Sequence, residues 1–278
     1  MWRPLKPPHL RAIVPWEGVT DLYRELAFHG GIPETKFVPL WSKMRMQRGR
    51  NRKFPLAEDF LVQREAHPLD DAYWVSKRPI LENVDVPALV CANWSDHGLH
   101  TRGSIEGFAR ISSGQKWLFT HGRKKWETFY GEEALAWQKR FLDHFLQDLD
   151  NGIDRVPKVR LEVRKGYYRQ EVRYEERWPP SSVESTLLYL CANTGSMQKE
   201  PVVSEGQVRY RPASRNGRAA FSLRLEQAVE LIGCMRLKLW ISTSERDDLD
   251  LFVVLRKLDS TGREVFFSGY NGYQGDGL

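Results

Sequence analysis

Val86-Pro-Ala-Leu-Val-Cys-Ala-Asn93 and Lys116-Trp-Leu-Phe-Thr120 are the two stretches that decide the fold. Both are short apolar runs without strict alternation, a pattern typical of parallel strands that helices cover on both faces. Between them, residues 101–111 carry apolar side chains close to helical spacing. A strand, a helix and a second strand in this order predict a right-handed crossover within an α/β sheet.

The same pattern continues in both directions along the first half of the chain. Leu10-Arg-Ala-Ile-Val14 is a third apolar run, and residues 132–149 form the most regular helical pattern in the sequence. Residues 19–85 are too long for a plain crossover, and they contain helical pieces interrupted by prolines. We therefore predict an α/β domain over residues 1–150, with a helical cap inserted at about 19–85.

Residues 155–278 follow a different pattern, in which short runs alternate with period two and turn signals separate them. Asn193-Thr-Gly195 and Asn216-Gly217 are two of these turn signals. Regular short strands without helices predict an antiparallel β-sandwich. The predicted strands lie at 159–163, 184–190, 219–225, 235–242, 249–255 and 264–268.

Composition excludes several classes of protein. Of the 278 residues, 41% are hydrophobic and 28% are charged, which is ordinary for a globular chain and unlike a disordered or collagen-like one. No apolar run reaches the length of a membrane-spanning helix, and the first residues lack a secretory signal. Three widely spaced cysteines, Cys91, Cys191 and Cys234, do not make a disulfide framework. We predict a cytoplasmic protein that does not bind membranes.

Two candidate catalytic residues follow neighbouring predicted strands. Asp96 comes three residues after the run that ends at Asn93, and His121 directly follows the run that ends at Thr120. Ligands of open α/β sheets bind beyond the carboxyl ends of the strands, where both side chains would lie. A carboxylate that orients a histidine base has this placement, and acid before histidine is the order of α/β-hydrolases. The alternative for Asp96 is a helix cap, and for His121 ordinary packing.

A nucleophile is missing from this pattern. The G-x-S-x-G elbow of an α/β-hydrolase must precede the acid, and the sequence contains no such motif. Ser95 has no preceding glycine, and Ser104 lies between the acid and the histidine. Cys91 lies inside a predicted strand, which favours a core position.

Several segments in order resemble the CocE/NonD hydrolases, which are related to the Xaa-Pro dipeptidyl-peptidases of peptidase family S15. Residues 8–23 resemble the segment that follows the nucleophile helix, Trp94-Ser-Asp96 the acid segment, and residues 117–126 the histidine segment. Residues 237–244 and 248–256 resemble the C-terminal jelly-roll domain. Where many members have Gly-Pro-Trp-x-His, this chain has Leu118-Phe-Thr-His121.

The resemblance implies a serine hydrolase with an α/β-hydrolase domain, a helical cap and a galactose-binding-like β-sandwich. It assigns the acid to Asp96 and the base to His121, with a small acyl, ester or peptide substrate and no cofactor. The nucleophile half and the end of the sandwich are expected outside this sequence. An upstream polypeptide would then supply the serine, or the chain forms a homo-oligomer. The alternative is an inactive relic or a binding module built on the sandwich.

Weaker features complete the list of candidates. Trp16, Trp94 and Trp126 lie near strand ends, where they line an apolar substrate pocket or simply pack in the core. Asp96, His97 and His100 have metal-ligating side chains, but their spacing is loose, and we predict no metal. The basic residues at 43–53 lack interleaved aromatic side chains, which favours a solvated face over a nucleic-acid site.

Overall fold

A computed structural model describes residues 7–49, 57–96, 98–166, 169–244 and 246–267, and for residues 45–49 it describes the backbone alone. The strands are β1 Phe28–His29, β2 Ile32–Pro33, β3 Ala88–Asn93, β4 Lys116–His121, β5 Val159–Arg164, β6 Gln170–Glu175, β7 Tyr189–Cys191 and β8 Ser196–Gln198. The α-helices are α1 Phe37–Gly49, α2 Phe60–Ala66, α3 Ala72–Lys77, α4 Thr101–Arg110, α5 Lys125–Phe129 and α6 Glu132–Gln147. A π-helical turn spans Tyr23–Ala27, and 3₁₀ turns span Leu81–Asn83 and Ile153–Arg155.

A four-stranded sheet in the order β3-β4-β5-β6 organises the first part of the chain. β3 and β4 are parallel, in a register that pairs Ala88 with Lys116 and Asn93 with His121. All six residues of β3 are buried, which explains its continuous apolar sequence. The predicted strands at 86–93 and 116–120 are therefore confirmed, as is the helix that connects them.

The run that begins at Leu10 forms the edge of this sheet beside β3. Ile13 bridges Ala88 and Trp16 bridges Cys91, both in parallel orientation. Pro15, which has no N–H group, interrupts the segment, so it pairs through isolated bridges rather than as a regular strand. The backbone nevertheless runs in the predicted direction, and it delivers Glu17 to the carboxyl end of the sheet.

Helix α6 covers one face of the sheet through aromatic packing. Phe141 is fully buried, and its ring lies 5.9 Å from that of Trp117 and 4.9 Å from that of Phe145. The helix ends at Gln147, and the capping residue Asp148 has a φ of 56°, the left-handed conformation common at helix C-termini. The helix predicted over 132–149 is confirmed, with its end two residues earlier.

The predicted cap region contains short helices rather than one continuous element. Asp59 and Asp71 begin α2 and α3 by accepting hydrogen bonds from backbone N–H groups of the first turn. Trp74 is 1% exposed and packs with Tyr23 and Phe28 in a small aromatic cluster. Helical pieces between the first and second sheet segments are thus confirmed.

One strand of the second half lies outside the predicted sandwich. β5 lies parallel to β4 and antiparallel to β6, so the run at 159–163 extends the first sheet. Residues 178–240 form a separate compact unit with the β7–β8 hairpin. Within the described part of 219–267, pairing is limited to isolated bridges such as Leu258 with Glu264. The jelly-roll architecture and the domain division at 150–155 therefore stay predictions.

Other expectations concern the cysteines and the membrane. All three cysteines are free thiols, and Cys91 is buried. Among the described residues, no helix is long and apolar enough to cross a bilayer. The cytoplasmic location stays a prediction.

Candidate active site

Three polar side chains meet at the carboxyl edge of the sheet. Glu17 follows the edge segment, Asp96 follows β3 by three residues, and His121 is the last residue of β4. Because the three segments are parallel neighbours, their ends lie side by side. The placement of Asp96 and His121 on adjacent strand ends follows the sequence pattern, whereas Glu17 was not predicted.

His121 is 1% exposed, and both of its ring nitrogens have partners. Nε2 lies 3.1 Å from Oε1 of Glu17. Nδ1 lies 3.0 Å from the hydroxyl of Thr128 in α5, and the backbone N–H of Arg123 donates to the same nitrogen at 3.4 Å. The indole ring of Trp16 stacks on the imidazole at 6.1 Å. The ring is therefore held on two edges and one face.

Glu17 is a buried carboxylate with cationic and neutral donors around it. Its side chain is 0% exposed, and Nζ of Lys125 lies 2.9 Å from Oε2. The Asn93 amide donates to Oε1 at 3.4 Å. Burial alone raises the pKa of Glu17, but hydrogen bonds from His121 and Lys125 and the charge of Lys125 outweigh it and hold the pKa below its usual value. Glu17 is thus ionised at neutral pH.

Asp96 belongs to the same charge cluster without contacting the imidazole. Its Oδ2 lies 3.7 Å from Nζ of Lys125, and the side chain is 9% exposed. Its backbone carbonyl accepts hydrogen bonds from Leu99, His100 and Thr101 at the start of α4. Among the described residues, Asp96 and His121 share no hydrogen bond. Lys125 therefore bridges the two carboxylates, and Glu17 links Lys125 to the histidine.

His100 lies next to this cluster. Its Nδ1 donates to the carbonyl of Gly18 at 3.3 Å. Burial lowers the pKa of His100, and the nearby charge of Lys125 lowers it further, although Asp96 acts in the opposite direction. His100 is thus neutral at neutral pH. Among the described residues, no group of three or more histidine, cysteine or acidic side chains could hold a metal ion. His97 lies outside the described residues.

The three tryptophans have separate surroundings. Trp16 packs on His121 and Phe129, whose ring lies 5.1 Å away. The indole N–H of Trp94 donates to the carbonyl of Glu162 at 2.9 Å. Trp126 is 66% exposed and stacks on Tyr130. Trp16 stacks on the histidine, and a substrate-lining role for the three stays a prediction.

Sequence reasoning missed three residues of this site. Glu17 comes three residues after the apolar run that ends at Val14, so the strand-end rule that selected Asp96 would have found it as well. Lys125 and Thr128 lie on α5, a helix of five residues with no periodic apolar pattern. No sequence pattern predicted that these two side chains would lie in the site. Most side chains of the basic stretch at 43–53 lie outside the part of the chain that the structure describes.

A largely parallel sheet with a buried histidine and two carboxylates at its carboxyl edge defines an α/β protein with a candidate acid–base site. Residues 2–126 match the family model described as X-Pro dipeptidyl-peptidase (S15 family). Residues 151–272 match the model described as X-Pro dipeptidyl-peptidase C-terminal non-catalytic domain. The chain belongs to the CocE/NonD, Xaa-Pro dipeptidyl-peptidase-like family.

Solved structures agree with this assignment. Two crystal structures of a CocE/NonD family hydrolase from Staphylococcus aureus are similar to this chain, each with 41% sequence identity and a TM-score of 0.69. Each match covers 72% of this chain and 36% of the other. The chain thus spans about a third of the length of these structures. A comparison with curated proteins found no match.

Proposed function

We propose that this chain supplies the base and the acid of a CocE/NonD-type serine hydrolase that acts on a small acyl, ester or peptide substrate. His121 is the base, and Asp96 provides the negative charge that an imidazolium needs. The observation that carries the proposal is the buried imidazole at the end of β4, with the Glu17 carboxylate on its Nε2 and Asp96 joined to that carboxylate through Lys125.

The chemistry follows from the roles of these groups. A serine hydroxyl attacks the substrate carbonyl while His121 accepts its proton. His121 then returns that proton to the leaving alcohol or amine. The imidazolium formed between these steps is stabilised by the carboxylates of Glu17 and Asp96, whose buried positions strengthen their attraction for a positive charge.

The serine in this proposal comes from a polypeptide segment outside the given sequence. The outer edge of the segment 10–17, on the side away from β3, supports this arrangement. Ile13, Pro15 and Glu17 use their backbone groups toward β3. Alternation turns the backbone groups of Ala12 and Val14 to the opposite edge, where they make no hydrogen bond with the described residues.

A parallel strand pairing at that edge would end beside Glu17. A serine on the turn after such a strand would stand at the same edge of the sheet as His121. The backbone groups of Ala12 and Val14 at that edge are unpaired among the described residues, and such groups favour association with another strand, from a separate segment or from a second copy of the chain.

Hydrolysis assays on the assembled protein test the proposal. The chain is co-expressed with a segment that carries a G-x-S-x-G elbow, such as the amino-terminal half of the Staphylococcus aureus relative. We expect ester hydrolysis by the assembly and none by either part alone.

A matched histidine variant controls this assay. His121→Ala should abolish hydrolysis, whereas His144→Ala, in α6 and paired with Asp154, should retain it. Equal activity of the two variants in an active assembly would contradict the role of His121. Assembly by co-purification with no hydrolysis of ester or peptide substrates would instead favour an inactive binding protein.

A further inference from the structure

We propose that Arg164, the last residue of β5, is a positioning residue that fixes the acid loop of the site, defined as residues 94–96, against the residues that follow β4. Its importance for catalysis rests on the proposed function, whereas its contacts are a property of the chain. Arg164 lies in the segment that matches the C-terminal non-catalytic domain model. The proposal therefore assigns part of the site's geometry to a residue outside the segment that matches the S15 peptidase model.

The register of the sheet explains how Arg164 reaches the acid loop. β5 pairs with β4 in parallel, and Phe119 lies opposite Arg160. Continuing that register places Glu162 level with His121, the last residue of β4. Arg164 therefore lies beyond the end of β4, at the carboxyl edge of the sheet, where the loop that follows β3 also lies.

The guanidinium of Arg164 binds two residues of the acid loop. Nη1 donates to the hydroxyl of Ser95 at 2.9 Å, and Nη2 donates to the carbonyl of Trp94 at 3.1 Å. The hydroxyl of Ser95 in turn donates to the carbonyl of Gly122 at 2.9 Å. The planar fork of an arginine suits two acceptors in one loop. Arg164 thus connects the acid loop, through Ser95, to the residue that follows His121.

Other hydrogen bonds hold the first residue of the acid loop. The backbone N–H of Trp94 donates to the carbonyl of His121 at 2.7 Å, and its indole N–H donates to the carbonyl of Glu162 at 2.9 Å. Arg164 adds the contact to the side chain of the second residue of the loop. Because Asp96 is the third residue, loss of the Arg164 contacts would loosen the link that directly precedes the acid.

Arg164 itself has a defined position. A Cβ atom at Gly122 would overlap Cδ of Arg164, so the glycine leaves the space that the arginine side chain fills. The guanidinium lies over the ring of Phe267, 5.1 Å from its centroid. Burial lowers the pKa of Arg164 to about 10, against the opposing charge of Glu162, so the side chain is cationic at neutral pH. Its hydrogen bonds to the acid loop are therefore charge-assisted.

Hydrogen–deuterium exchange of the full chain measures the acid loop without any assay of activity. Arg164→Met keeps the length of the side chain and removes its donors. We expect exchange at residues 94–96 to become about tenfold faster, as loss of a hydrogen bond to a charged group shifts the opening equilibrium of the loop. Exchange at residues 88–92 of β3 should stay unchanged.

Arg140→Met is the matched control. The guanidinium of Arg140 donates from Nε and Nη2 to the carbonyl of Asn151, at 3.1 Å and 2.9 Å, so it also fixes a loop through a carbonyl group. Neither of these contacts involves the acid loop. Arg140→Met should therefore leave exchange at residues 94–96 at the wild-type rate.

Kinetics of the protein assembled with an elbow segment test the consequence for catalysis. Arg164→Met should lower kcat by about 10–100-fold with little change in KM, because Asp96 is displaced while groups that bind the substrate are not. A merely structural role would lower the melting temperature without this separation of kcat from KM. Arg140→Met should keep the wild-type kcat.

The outcomes decide the proposal as follows. Faster exchange at residues 94–96 together with a lower kcat at constant KM supports it. Unchanged exchange there in Arg164→Met, a wild-type kcat in an active Arg164→Met assembly, or an equal loss of kcat in Arg140→Met overturns it. If Arg164→Met does not fold, Ser95→Ala removes the hydroxyl that Arg164 binds, and the same two measurements decide. If the wild-type assembly is inactive, the proposed function fails, and exchange alone shows whether Arg164 holds the loop.

Discussion

Gly103, in the first turn of α4, packs against the buried carboxylate of Glu25, and a methyl group there should destabilise the fold. A Cβ atom at this position would lie 2.3 Å from Oε2 of Glu25 and 3.0 Å from the carbonyl oxygen of Gly18. Glu25 cannot easily retreat, because the backbone N–H and the hydroxyl of Thr20 donate to it, each at 2.9 Å. Arg102 binds it at 2.7 Å.

The magnitude follows from three effects. Overpacking costs about 1–3 kcal/mol. Weakening a hydrogen bond to a charged group costs about 1.5–3 kcal/mol more. Alanine gains about 1 kcal/mol over glycine as a helix former, which offsets part of the loss. We expect Gly103→Ala to lower the free energy of unfolding by roughly 3 kcal/mol.

Gly107 in the same helix provides the matched control. A Cβ atom there would meet only Cγ2 of Thr20, at an ordinary 3.6 Å. Gly107→Ala should therefore stabilise the protein by up to about 1 kcal/mol through helix propensity. Urea unfolding followed by tryptophan fluorescence measures both variants. Equal stability of Gly103→Ala and Gly107→Ala would contradict the close packing of Glu25 against α4.

Three further predictions concern pH and the core. The pKa of His100 lies below its ordinary value of 6.5 in the fold, so the unfolded chain takes up a proton first. Stability should fall as the pH drops below 6.5, and His100→Gln should flatten that slope in urea midpoints measured against pH. The pKa of Glu17 lies below its ordinary value of 4.5 in the fold. The contribution of Glu17 to stability is therefore complete above pH 4.5 and is lost as the pH falls through the pKa of the folded state. Glu17→Gln should remove this loss of stability at acidic pH. Phe141→Ala should cost about 3–5 kcal/mol in urea unfolding, whereas Leu146→Ala, 48% exposed, should cost far less, and equal losses would place Phe141 outside the core.

The sheet and part of the site were accessible from the sequence because their signals are local. Buried parallel strands appear as apolar runs, and side chains that follow such runs must lie at one edge, which located Asp96 and His121. The partner of His121 depends on which strand-end carboxylate reaches it. Glu17 reaches it from a residue with a left-handed backbone conformation, which no local sequence pattern predicts.

The second half was harder to predict for a different reason. The run at 159–163 alternates as a strand should, but alternation does not reveal which strand it pairs with. β5 joins β4 through contacts across about forty residues of sequence, a long-range choice of the kind that alternation leaves open. The run at 249–255 shows the same limitation, since its alternating pattern is not accompanied by ladder pairing among the described residues.

Covalent labelling tests the central claim most directly. The assembled protein, formed from this chain and a segment carrying the G-x-S-x-G elbow, is treated with a fluorophosphonate and digested for mass spectrometry. We predict an adduct on the elbow serine, lost in His121→Ala and kept in His144→Ala, and none on this chain alone. An adduct on a residue of this chain, or elbow labelling that does not depend on His121, would contradict the account.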